Sequence, residues 1–148
     1  MIGLLQRVKE ARVDVGGVCV AQISVGLLVL VGIQRGDDAI KRKRLLERLL
    51  NYRVFEDATG RMNTSLRDMG EGSGGLLLVP QFTLAADTRQ GTRAGFAAAA
   101  PPEEARHHFE SLLAEACLQW KGTRGGVFGS NMSVSLVNEG PVTFWLES

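Results

Sequence analysis

The chain has 148 residues, 45% hydrophobic and 22% charged, with a net charge of +1. That length suits one domain around one core, and that composition excludes wholesale disorder and a collagen-like repeat. A charge so near zero excludes nucleic-acid binding by overall charge, so any RNA contact must use local patches.

In chain order, Ile2 to Val8 reads as a first strand. Arg12 to Val15 and Val18 to Ile23 flank Gly16-Gly17, a two-residue hairpin signal. Leu27 to Ile33 is apolar throughout, as a strand buried on both faces would be. The apolar run here, Val25 to Ile33, is broken by Gly26 and Gly32 and is far short of the roughly 20 residues of a membrane span. After the loop Gln34-Arg35-Gly36-Asp37, Asp37 or Asp38 is placed to cap a helix from about Ala39 to Asn51. Leu45, Leu46, Leu49 and Leu50 share one face of it. The basic cluster Lys41-Arg42-Lys43-Arg44 with Arg48 reads as a solvated face or as an RNA patch. Arg53-Val54-Phe55 is extended, and Asp57 to Gly60 is a turn.

The glycine-rich segment Gly70 to Gly75 is not a P-loop, because no Gly-Lys-Ser/Thr follows. Leu76 to Val79 is a buried strand, and Asp87 to Ala94 a polar surface loop. Pro101-Pro102-Glu103-Glu104 starts a second helix, with proline in its first turn and acids at its positive end. Its apolar stripe is Ala105, Phe109, Leu112, Leu113, Ala116 and Trp120, and Gly122 to Gly126 breaks it. Met132 to Val137 and Val142 to Leu146 are the last strands, joined through Asn138-Glu139-Gly140-Pro141. No linker or repeat divides the chain, so residues 1–148 form one domain. Paired strands with single helices indicate α+β with a mixed or largely antiparallel sheet and two main helices.

Several chemistries lack their residues. The two histidines, His107 and His108, are adjacent on a helix, point to different faces and sit in no nucleophile motif. Cys19 and Cys117 have no Cys or His at metal-ligand spacing and read as reduced packing residues. No His-Glu-x-x-His or dinucleotide fingerprint is present, so no metal or cofactor is expected. An enzyme built on this chain must lean on backbone groups and on its substrate. Two segments interrupt apolar strands. Pro80-Gln81-Phe82-Thr83-Leu84-Ala85-Ala86 reads either as a kink caused by proline or as a strand end aiming N–H groups into one spot. Asn138 to Thr143 reads as a plain connection or as a functional turn. The N-terminus lacks the basic start and long apolar stretch of a secretion signal, which makes the cytoplasm the default.

Together these two segments resemble the D-aminoacyl-tRNA deacylases. The likeness covers Gln6-Arg7-Val8, Pro80 to Ala86 (Ser-Gln-Phe-Thr-Leu-x-Ala in the family) and Asn138 to Thr143 (Asn-x-Gly-Pro-Val-Thr). Met62-Asn63-x-Ser65-Leu66, Ala86 to Arg89, Ala98 to Pro102 and Phe128-Gly129-x-x-Met132 also look like the family. The resemblance implies a compact, barrel-like dimer with its active site at the subunit interface, acting on the 3′-terminal adenosine of aminoacyl-tRNA, with neither DNA nor membrane as a partner. It implies a cis Gly140-Pro141 bond reaching into the partner's pocket, held by Arg7 and excluding L side chains. Glycine has no side chain to exclude, so glycyl-tRNA would be cleaved too. Pro80, Gln81, Phe82 and Thr83 would line the catalytic side, the N–H groups of Phe82 and Thr83 polarising the ester carbonyl while the substrate 2′-hydroxyl assists. Phe128 and Met132 would pack around the adenosine, although core packing serves Met132 equally well.

The chain departs from the pattern at Pro80, where the family usually has serine and where a related animal deacylase editing an L-amino acid has proline. Arg93-Ala94-Gly95-Phe96 likewise stands where Arg-Pro-Ser-Phe is common. Three other readings stay open at this point. They are a sister enzyme clearing a mischarged L-amino acid, a non-enzymatic tRNA-binding module using Lys41 to Arg48, and a structural interaction protein.

Overall fold

The computed structural model describes residues 1–148. Its elements are β1 (Ile2–Val15), β2 (Val18–Ile23), β3 (Gly26–Gly32), α1 (Ala39–Asn51), β4 (Phe55–Glu56), β5 (Met62–Thr64), β6 (Gly75–Pro80), a 3-10 turn (Phe82–Ala85), α2 (Pro102–Gln119), β7 (Thr123–Gly125) and β8 (Met132–Glu147). The expected α+β domain with two main helices is what the chain forms. One six-stranded sheet runs β2-β1-β3-β6-β7, with β8 pairing β1. β3–β6 and β6–β7 are parallel and the rest antiparallel, so the sheet is mixed.

β1 organises the sheet. Its first half pairs with β3, its second half with β2, and most of its length with β8. The sheet curls so that both faces are covered. Leu27, Val29, Leu76 and Leu78 face a 22-residue cluster beneath α1 and α2. The alternate residues Leu28, Leu77 and Val79 face a smaller one, over which Met132, Val134 and Leu136 of β8 close. Burial on both faces is why β3 and β6 read as continuous apolar runs rather than alternating ones. The four leucines of α1 and Phe109, Leu112 and Ala116 of α2 fill the larger cluster.

Asp38 caps α1, its carboxylate accepting from the Lys41 N–H at 2.8 Å. That bond holds its pKa below the ordinary carboxylate value. Asp37 instead takes the Met1 amino group at 2.7 Å, with both groups fully buried.

The structure corrects the element boundaries. Ile2 to Val8 and Arg12 to Val15 are one strand: polar Lys9 and Glu10 are exposed mid-strand, where the register against β8 shifts without ending the strand. The last two expected strands are also one element, β8. The glycine run after α2 holds the parallel strand β7, where a β-carbon on Gly125 would lie 2.5 Å from Leu113. Arg42 is not a solvated cation: it is buried and pairs with Glu115 at 2.8 Å. Cys117 is exposed, so of the two free thiols only Cys19 is even half-buried.

β3 and β6 start in very close approach. A β-carbon on Gly26 would fall 2.1 Å from the Gly75 carbonyl oxygen. Gly26→Ala is therefore expected to destabilise the fold by more than about 3 kcal/mol, since the strands must part. Urea denaturation of the purified variant checks this, and an unchanged midpoint would refute the close approach.

Candidate active site

Pro80 ends β6. It pairs with Val31 but has no N–H to extend the ladder, and the next residue, Gln81, donates its N–H to Val31 O at 2.8 Å. The chain then turns into the 3-10 segment, with Gln81 at φ −143° and ψ 84°. The segment is therefore both the expected kink and a change of direction. The first N–H groups of such a turn have no acceptor within it. Leu84 N–H already donates to Gln81 O, so the N–H groups left without a backbone acceptor at the start of the turn are those of Phe82 and Thr83. The Gln81 side-chain amide donates to the Thr83 hydroxyl. Thr83 is exposed, and Phe82 is 59% exposed with its ring 5.1 Å from that of Phe96.

A cleft of about 530 Å³ lies beside this turn. Pro80, Gln81 and Phe82 form one wall, the start of α2 a second, and Phe128 to Met132 a third. Its lining carries no charged side chain. Phe128 is anchored from below, its ring 6.3 Å from buried Phe109. Met132 both lines the cleft and packs on the smaller core cluster, so the two roles expected of it coincide.

Arg7, Gly140 and Pro141 form a second constellation. Gln6 pairs with Thr143 and Val8 with Asn138, so residues 139–142 of β8 stand opposite Arg7 alone. The strand bulges there, and the Gly140-Pro141 peptide within the bulge is cis. Arg7 is buried beneath it. Its Nη1 donates to Val54 O at 2.6 Å and its Nε to Glu139 O at 3.2 Å. Asn138 closes the base of the bulge, its Nδ2 donating to Arg7 O at 3.2 Å and Val142 O at 3.0 Å. Gly140 and Pro141 themselves are exposed.

One chain thus brings Pro80, Gln81, Phe82, Phe128 and Met132 into one cleft, with Thr83 next along the turn. Arg7, Gly140 and Pro141 lie outside that lining. Sequence reasoning assigned no role to Asn138 or Val54. Asn138 stood inside the recognised segment, whereas the Val54 carbonyl gave no signal. Of the basic cluster, Arg42 and Arg48 are taken up, Arg48 by Glu147 O at 2.6 Å, and Lys41 reaches Gly36 O and Asp37. Lys43 and Arg44 remain without a partner and Arg48 keeps its charge against a neutral carbonyl, still a small patch for a nucleic-acid module.

The family model for D-Tyr-tRNA(Tyr) deacylase matches residues 4–147. A D-aminoacyl-tRNA deacylase of Alkalilimnicola ehrlichii is 58% identical over 148 residues, 100% of this chain and 97% of its own. One from Vibrio cholerae is 52% identical over the whole of both chains. Among solved structures, a c-Myc DNA unwinding element binding protein superposes with a TM-score of 0.93 at 35% identity, covering 100% of this chain and 99% of its own. A probable eukaryotic D-amino acid tRNA deacylase gives 0.82 at 16% identity over 99% of this chain and 98% of its own, a likeness of fold alone.

Proposed function

The chain belongs to the D-Tyr-tRNA(Tyr) deacylase family, and from that premise we propose that it hydrolyses the ester joining a D-amino acid, or glycine, to the 3′ end of tRNA. The observation that carries this reading is the match to deacylases along essentially the whole chain. The uncharged cleft beside the Pro80–Thr83 turn is the place for the chemistry.

In the reaction, water adds to the ester carbonyl, the bond to the ribose oxygen breaks, and the free amino acid and tRNA leave. The N–H groups of Phe82 and Thr83 hold the developing oxyanion, and the substrate's own 2′-hydroxyl assists the attack. This division of labour suits a cleft with no histidine or carboxylate in its lining. Gln81 orients the Thr83 hydroxyl, which positions the substrate. The terminal adenosine packs on Phe128 and Met132.

Two copies of the chain complete the site. Exposed Gly140-Pro141 lies outside its own cleft and enters that of the partner, where its backbone faces the substrate α-amino group and blocks an L side chain. Arg7 holds this segment through Glu139 O. Glycine escapes this exclusion. The working compartment is the cytoplasm, where charged tRNA is found.

The deciding experiment is deacylation of matched D-tyrosyl-tRNA and L-tyrosyl-tRNA by the purified protein with EDTA present. Loss of the D-ester alone is expected. Loss of both esters, or faster loss of a small L-ester, would move the protein to the sister class, the reading that half-buried Pro80 on the cleft wall favours. Binding of tRNA without cleavage of either ester would leave the RNA-binding module. Thr83→Ala is expected to lower kcat only a fewfold, about 1 kcal/mol for one neutral hydrogen bond. A loss as large as that of an inactivated enzyme would make the hydroxyl a participant in the chemistry.

A further inference from the structure

A negatively charged RNA end approaching this cleft needs a cation at its rim, because the lining itself has none. One stands there. Arg106 lies on α2 one turn after cleft-lining Pro102 and next to cleft-lining Ala105. Its guanidinium carbon sits 5.0 Å from the centroid of the Phe128 ring, within cation–π range. A β-carbon on Gly129, another lining residue, would lie 3.4 Å from its Nη2. Its acidic neighbour is Glu110 at 3.7 Å, and the two side chains are 45% and 60% exposed. An exposed pair of that length holds a guanidinium weakly. By contrast, Arg89 on the loop beyond Phe82 is clasped by both oxygens of Asp87.

We propose that Arg106, stacked on Phe128 at the mouth of the cleft, binds the phosphodiester just before the terminal nucleoside of the aminoacylated RNA. A guanidinium held against an aromatic ring keeps its planar fork of N–H donors, a geometry suited to two phosphate oxygens. The contact reports no base sequence, so it serves any tRNA. It acts on binding and register rather than on the ester, and it rests on the deacylase reading above.

The test compares two substrates, D-tyrosyl-tRNA and 3′-O-D-tyrosyl-adenosine, which keeps the ester and nucleoside but has no phosphate. Arg106→Gln is expected to raise KM for the tRNA about tenfold at unchanged kcat, the size of one lost charge-assisted contact. The slope of log KM against log salt should become shallower by about 0.7–0.9, the value of one phosphate. With the adenosine substrate the variant should match the parent enzyme. Arg106→Lys, which keeps the charge but loses the planar fork, should fall between. An equal loss on both substrates would overturn the proposal, since Arg106 would then merely support Phe128. So would an unchanged KM for tRNA, or an equal rise in Arg61→Gln, which removes an exposed cation from the turn before β5. Failure of the parent enzyme to cleave either substrate would instead count against the deacylase reading itself.

Discussion

Phe82→Pro is expected to lower kcat about 10²–10³-fold below that of Phe82→Ala, the cost of one donor to an oxyanion. The pair of variants separates the ring from the backbone. Both remove the aromatic side chain that meets Phe96, but only proline removes the N–H. Proline suits the position sterically. Phe82 is the first residue of the 3-10 turn, where φ near −65° is already required. Gln81 before it is outside the α region that a following proline disfavours, at φ −143° and ψ 84°. Fold loss is therefore not the expected cause of the drop, and matching melting temperatures would establish this. Single-turnover deacylation of D-tyrosyl-tRNA reads the effect. Equal rates for the two variants would remove the Phe82 N–H from the mechanism.

Arg7→Ala is expected to cost about 3–6 kcal/mol, since two hydrogen bonds from a charged donor, each about 1.5–3 kcal/mol, disappear and leave carbonyls behind. For a chain of this size that is a fall of roughly 10 °C in Tm. The variant should also lose chiral discrimination, with the L-ester cleaved at a rate approaching the D-ester. The reason is mechanical. The carbonyl of Glu139 begins the bulge, and Arg7 is the side chain tying it to the Val54 carbonyl on the far side. Asn138 holds only the base of the bulge, through Arg7 O and Val142 O. A large fall in Tm with the D/L ratio intact would make Arg7 a structural residue and nothing more.

Local features were readable from the sequence, and long-range ones were not. Gly16-Gly17 announced its hairpin because both residues have positive φ, 58° and 81°, which that turn demands. The leucines of α1 and the stripe of α2 announced their buried faces through spacing alone. Arg42 looked like its basic neighbours, because its burial depends on Glu115, 73 residues away. Cys117 falls one position off the α2 stripe, where the helix turns it outward. β7 was hidden by its glycine, which is needed there for close packing on Leu113. The site divides the same way. Residues 80–83 are contiguous and were found together, whereas the cleft they border also needs Phe128 and Met132 from far along the chain. The bulge around Gly140-Pro141 read as a turn between strands, because its register against β1 is invisible in one segment of sequence.

The cleft has a pharmacological consequence. Its lining includes no cysteine, histidine, lysine, aspartate or glutamate. Reagents that alkylate thiols, acylate imidazoles or capture amines would find nothing to modify inside it, and the exposed thiol of Cys117 is not part of the lining. Warheads of those three kinds are thus a poor starting point against this cleft, whose lining hydroxyl is that of Ser130. A blocking compound must earn its affinity through shape, filling the apolar walls of Pro80, Phe128 and Met132 and borrowing backbone donors at Phe82 and Thr83.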